Sequence, residues 1–300
     1  MTSLLLLIVT AAGQGPADSL RTAILSRVSR DSGATVAVFL SDPVSTFFVA
    51  VEPDRRFHAA STMKVPVLIE LGRRIDARQM RWSDSIPVTN QFASIVDGSP
   101  YSLDASGDSD STVYQSIGAR LSLRQLATRM IVRSSNLATN LLIERLDATR
   151  VTATIRSLGA DSMVVLRGVE DGKAYERGLN NTTTARDLAT LLLALSAGKA
   201  VRRSTTQELI GILEAQEFND GIPGGLPPGT RVAHKTGNIT ATWHDAALIY
   251  PAAGEEPYVL VVLSRGVPEE GRGKALQADI ARLAHAAILD ARARMRGRTH

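Results

Sequence analysis

Ala59-Ala60-Ser61-Thr62-Met63-Lys64-Val65-Pro66-Val67-Leu68-Ile69-Glu70-Leu71 puts a hydroxyl three residues ahead of an amine at the head of an apolar run. Residues at i and i+3 share a helical face, so a helix starting near Ser61 brings the Lys64 amine within reach of the Ser61 hydroxyl. Pro66 is tolerated only in a first helical turn, which fixes that start close to the serine. Backbone N–H groups at such a start favour an oxyanion. An unactivated serine is a poor nucleophile, and an adjacent base is the usual remedy.

Lysine usage sharpens this reading. Of 34 Lys plus Arg, only Lys64, Lys173, Lys199, Lys235 and Lys274 are lysine. Arginine carries charge but does not deprotonate, whereas a desolvated lysine falls toward neutral pH and becomes a base. Two of the five stand in short motifs: Lys64, and Lys235 of Lys235-Thr236-Gly237. Between them lies Ser134-Ser135-Asn136. Alone, the middle motif reads as a helix N-cap before Leu137–Ile143, and the last as a strand end with a turn glycine. In this order they bring one nucleophile, a second hydroxyl and two amines to one pocket.

The ordered trio resembles the penicillin-recognising serine enzymes, and in particular the class A β-lactamases, whose signatures are S-x-x-K, S-D-N and K-T-G. The resemblance covers roughly Ala17 to Ala291 and includes Asn136–Ile143 and Thr182–Leu192. It implies that Ser61 is acylated, with Lys64 as its proton partner. Ser134 passes a proton to the departing lactam nitrogen, and Asn136 holds the substrate amide. Lys235 and Thr236 bind the substrate carboxylate, with Gly237 and Asn238 beside them on the same strand. It implies a β-lactam substrate, with peptidoglycan peptides as the alternative, and neither cofactor nor metal. A sensor domain that stays acylated by penicillin is the reading of a different class.

Hydrolysis of the acyl-enzyme in that family needs a glutamate holding a water, and two compete here. Glu176 has the local pattern Glu176-Arg177-Gly178-Leu179-Asn180. Glu170 has the spacing, 34 residues after Asn136 against 40 for Glu176, and is preferred. Four residues after Glu170, where the family carries an asparagine, stands Ala174, so Asn180 or Asn181 must fold back or the water is poorly held. Ser135 replaces the usual aspartate and removes a structural carboxylate. The strand after Lys235 lacks the usual carboxylate-clamping arginine, which leaves Lys235, Thr236 and Thr240 for that task. The chain between Ser61 and Ser134 is longer than usual around Asn90–Ser116, either a surface loop or a rim that selects substrates.

Three hundred residues at 44% hydrophobic content suffice for a large core. The expected fold is α/β (α+β): an antiparallel sheet flanked by terminal helices, from residues 16–55 and 218–300, packed on an all-helical domain from residues 56–217. Helices are expected over Ala17–Arg30, Leu123–Ile131, Leu137–Leu146, Thr149–Leu158, Ala185–Leu195, Thr205–Ala215 and Ala275–Arg294. Strands are expected at Ala34–Leu40, Thr46–Val51, Arg231–Lys235, Thr242–Tyr250 and Tyr258–Ser264.

A net charge of +4, 4% aromatics and one basic stretch at Arg292–Arg298 argue against nucleic-acid binding. Without cysteine there is neither disulfide nor thiol chemistry. Residues 1–15, a short apolar run followed by small residues, resemble a secretory signal, so a periplasmic or secreted monomer without stable membrane association is expected. His244-Asp245 with His58 offers a rival Ser-His-Asp arrangement, but no G-x-S-x-G elbow accompanies it.

Overall fold

The computed structural model describes residues 15–297; the apolar run Leu4–Val9, on which the export reading rests, lies outside them. Five antiparallel strands form the central sheet: β1 (Thr35–Asp42), β2 (Phe47–Val51), β3 (Arg231–Ile239), β4 (Thr242–Tyr250) and β5 (Tyr258–Arg265). Their order is β2-β1-β5-β4-β3, so the two ends of the chain interleave at the β1–β5 pair. Strand side chains alternate between faces. Ala37, Phe39, Val259, Val261 and Leu263 enter a core shared with the helical layer. Val36, Val38, Leu40, Leu260 and Val262 face the terminal helices α1 (Pro16–Val28) and α9 (Glu270–Gly297).

The same alternation orients the site. Ala233 belongs to the helical-side core and Val232 to the other. Lys235 and Gly237 share the parity of Ala233 and turn toward the helices. Contrary to the strand-end reading of the Lys235-Thr236-Gly237 motif, β3 runs on to Ile239, with Lys235 opposite Ala246 and Gly237 opposite His244.

The helical layer comprises α2 (Lys64–Asp76), α3 (Leu123–Val132), α4 (Asn136–Leu146), α5 (Ala148–Ser157), the short α6 (Gly172–Glu176), α7 (Ala185–Ser196) and α8 (Arg203–Glu214). Side-chain caps set several starts. Ser122 and Gln125 form a reciprocal capping box on α3, Ser135 accepts from the Ala138 N–H of α4, and Thr184 accepts from the Asp187 N–H of α7. Helix α2 is buried from Lys64 to Gly72, so it is the central rod of the layer. Helix α9 begins at Glu270, ahead of the expected Ala275. Among the described residues, no helix is long and apolar enough to cross a membrane.

Candidate active site

Ser61 stands on a 3₁₀ turn, Ala60–Met63, and the α-helix proper begins at Lys64. The turn lies against β3. A Cβ added at Gly237 would come within 3.0 Å of the backbone nitrogens of Ser61 and Thr62. Glycine therefore lets a strand pass close enough for the Ser61 N–H and the β3 backbone to border one small space, where an acyl oxygen can be received. Gly237→Ala should push turn and strand apart. The expected result is acylation slowed about 10-fold or more, read by stopped-flow burst kinetics, with an essentially unchanged far-UV spectrum.

The two amines converge behind the serine. Lys64 and Lys235 are both fully buried. Lys64 Nζ donates to the Ser134 carbonyl at 2.6 Å, to Ser134 Oγ at 3.2 Å and to Asn136 Oδ1 at 2.9 Å. Lys235 Nζ donates to the same Ser134 Oγ at 3.0 Å and to the Thr236 carbonyl at 2.8 Å. Among the described residues, the hydrogen bonds of the Lys64 amine go to the middle motif rather than to Ser61.

Two ammonium ions on one buried hydroxyl repel each other and lack hydration. Burial pushes Lys64 down from 10.5 to about 7, against the opposing charges of Asp108 and Glu170. Burial, then the Lys64 charge, pushes Lys235 well below its ordinary value, with Asp245 acting the other way. Both shifts favour giving up a proton, and Lys64 is brought into the range where its uncharged form is populated. A neutral Lys64 has two N–H groups, enough for the Ser134 carbonyl and Asn136, and one lone pair free for a hydroxyl proton. The sign for stability follows: between about pH 7 and 10.5 the unfolded chain binds more protons at Lys64 than the folded one, so stability rises with pH there.

Ser134 itself is strained, with φ of 58° at the joint between α3 and α4. A non-glycine residue in this region costs about 1–2 kcal/mol. The bonds from Lys64 and Lys235 offset that strain and hold the hydroxyl between the two amines.

Asn136 links this centre to Glu170. Its Oδ1 accepts from Lys64, while its Nδ2 donates to Glu170 Oε1 at 2.6 Å. Glu170, with φ of 62°, lines the same cleft as Ser61 and Asn136. Desolvation by the cleft walls raises its pKa, the Asn136 hydrogen bond lowers it, and the Asp108 charge raises it again. Glu176 is exposed at the end of α6 and does not line the cleft.

The loop that carries Glu170 is fastened by other means than those expected. Asn181 Oδ1 accepts from the Leu166 and Arg167 N–H groups, and its Nδ2 donates to the Arg167 carbonyl. Asn180 Oδ1 accepts from Arg167 Nη2. Both amides are engaged with the buried Arg167 turn, and Asn181 also lines the lobe that holds Glu170. Asn140, unremarked in the sequence, pins Val169 through both backbone groups. The long segment before Ser116 supplies the rest. Ser94 and Ile95 donate to Asp171, and Lys173 donates to Asp97 and Ser99.

The cleft has two lobes sharing Ser61, Gly107, Asn136 and Asn238. The larger, about 510 Å³, is bounded by His58, Glu170, Tyr175 and Thr240. The smaller, about 290 Å³, is bounded by Ser134, Thr236 and Lys274. Lys274, a second missed residue, donates to Asp220 at the mouth of this lobe and is also paired with Glu270. Gly107 and Ser109 show that the long segment reaches the rim of the site.

Among the described residues, no histidine is hydrogen-bonded to Ser61. His244 bonds the His58 carbonyl and the Ser264 N–H, and its burial lowers it to about 4. His58 Nδ1 accepts the Ala60 N–H. Asp245 bonds His234 and the Ile222 N–H, and its charge acts on Lys235. Among the described residues, no cluster of His, Cys, Asp and Glu could hold a metal ion.

A buried S-x-x-K lysine, a bridging serine and a strand-borne lysine, set between an antiparallel sheet and a helical layer, define a penicillin-recognising serine hydrolase. The chain belongs to the beta-lactamase enzyme family, whose model matches residues 19–288. It is 27% identical to the β-lactamase of Bacillus licheniformis over 253 residues, 80% of this chain and 74% of that one. Among solved structures, PBP-A matches with a TM-score of 0.79 and 25% identity over 94% of this chain and all of that one. An ancestral class A β-lactamase matches with a TM-score of 0.77 and 26% identity over 89% of this chain and 99% of that one.

Proposed function

We propose that this class A-type enzyme hydrolyses β-lactams through an acyl-enzyme on Ser61. Neutral Lys64 takes the Ser61 proton as the hydroxyl attacks the lactam carbonyl. The Ser61 N–H and the β3 backbone receive the oxyanion. Ser134, whose Oγ lies within hydrogen-bond distance of both amines, hands its proton to the departing nitrogen and takes in exchange the proton that Lys64 removed from Ser61. Lys235, Thr236 and Asn238 hold the substrate carboxylate in the smaller lobe, and Asn136 the substrate amide. Glu170 then activates water for deacylation. The enzyme acts outside the cytoplasm as a monomer. The observation that carries this reading is the convergence of two fully buried lysines on Ser134 Oγ, with Asn136 joining one of them to Glu170.

A second reading rests on Ala174 and on the engagement of Asn180 and Asn181 with Arg167. Without an amide at position 174 the deacylating water has one donor fewer, and a slowly released acyl-enzyme would result. Intact-protein mass spectrometry with benzylpenicillin, alongside turnover of a chromogenic cephalosporin, separates the two. Rapid turnover with no standing adduct supports hydrolysis, whereas a stable adduct on Ser61 supports slow release. Ser61→Ala should abolish both signals, and turnover by that variant contradicts the assignment.

A further inference from the structure

The α4 N-terminus is held by a residue 28 positions away in the chain. Asp108 Oδ2 accepts from the Asn136 N–H at 2.9 Å and the Leu137 N–H at 3.0 Å, and lies 3.4 Å from Ser135 Oγ. Asp108 Oδ1 accepts the Asp110 N–H, which fixes the loop around it. Its neighbours Gly107 and Ser109 line the cleft. The residue it grips, Asn136, has its side chain stretched between Lys64 and Glu170. A displacement of the Asn136 backbone would therefore loosen both contacts together.

We infer that Asp108 is a positioning residue for catalysis: its carboxylate replaces, from across a loop, one that position 135 does not carry, and sets the Asn136 link between Lys64 and Glu170. A negative charge at a helix N-terminus is favourable, but a second carboxylate at position 135, whose side chain already lies 3.4 Å from Asp108 Oδ2, would repel it. The inference rests on the acyl-enzyme reading above and extends it. Its charge also acts on both partners, raising the pKa of Lys64 and of Glu170.

The test is a double-mutant cycle of Asp108→Asn and Ser135→Asp, read as the acylation rate constant for benzylpenicillin and as the melting temperature. Asp108→Asn should slow acylation at least 10-fold. Ser135→Asp should slow acylation in the native background, yet restore it to within about threefold of native when Asp108 is asparagine. This reversal of sign is what a structural loop contact without a role in catalysis would not give. Acylation by Asp108→Asn within twofold of native, or a Ser135→Asp effect of the same sign in both backgrounds, overturns the inference. Should Asp108→Asn not fold, the double variant decides: folding with near-native acylation supports the inference, and failure to recover overturns it. The melting temperatures need no substrate. A native enzyme that took no penicillin would thus sink the acyl-enzyme reading, while the change in melting temperature of Asp108→Asn would still report on the Asp108 contact.

Discussion

Lys64→Arg should reduce acylation by about 10²–10⁴-fold above pH 7, the range expected for loss of a general base, and by progressively less toward pH 5, where native Lys64 is itself protonated. Arginine keeps the positive charge and can donate to the Ser134 carbonyl and Asn136, so a purely structural cation would survive the exchange. It cannot give up its proton, and the Ser61 hydroxyl then has no acceptor. The guanidinium must also fit where a fully buried ammonium stood, so a thermal melt accompanies the assay. A folded Lys64→Arg enzyme acylated at the native rate would show that Lys64 is a binding cation and no base.

Glu170→Gln should leave acylation within a few-fold of native and slow deacylation by about 10²–10⁴-fold, so that the penicilloyl enzyme accumulates. The amide preserves the size of the side chain, and its oxygen can still accept from Asn136 Nδ2, while its capacity to take a proton is lost. Glu176→Gln should change neither step, because Glu176 points to solvent from the end of α6. Intact-mass spectra at seconds to minutes after mixing distinguish the two variants. Accumulation in Glu176→Gln alone would reverse the assignment.

Much of the fold was legible because burial leaves periodic marks. Strand β4 begins and ends at the expected Thr242 and Tyr250, and helices α3, α4, α5 and α7 lie within one or two residues of expectation. Departures came where backbone, rather than side chains, makes the contact. The 3₁₀ turn at Ser61 and the extension of β3 through Gly237 depend on a close approach between strand and turn that no pattern of hydrophobic residues reports.

The site shows a similar division. Ser61, Lys64, Ser134, Asn136 and Lys235 come together because their motifs sit at the starts of helices and on an inward-facing strand position, features a sequence displays locally. Asp108, Asn140 and Lys274 escaped notice because each acts across a loop or between distant elements, with no fixed spacing to its target. Asp108 lies inside the polar run Asp104–Asp110, whose pattern does not set it apart from its neighbouring carboxylates. The absence of aspartate at position 135 was itself a signal. A helix start carrying the Asn136 link still needs a partner for its N–H groups, and the long preceding segment was the one unexplained source.

The most direct test is the pH dependence of the acylation rate constant of the Glu170→Gln enzyme, in which deacylation does not intrude. A serine activated by an uncharged lysine requires the rate to fall about tenfold per pH unit on the acid side and to level off above an apparent pKa no higher than about 7, since burial places Lys64 there and loss of the Glu170 charge lowers it further. A rate that is flat from pH 5 to 9, or one that is still climbing toward the ordinary lysine value of 10.5, would contradict the account.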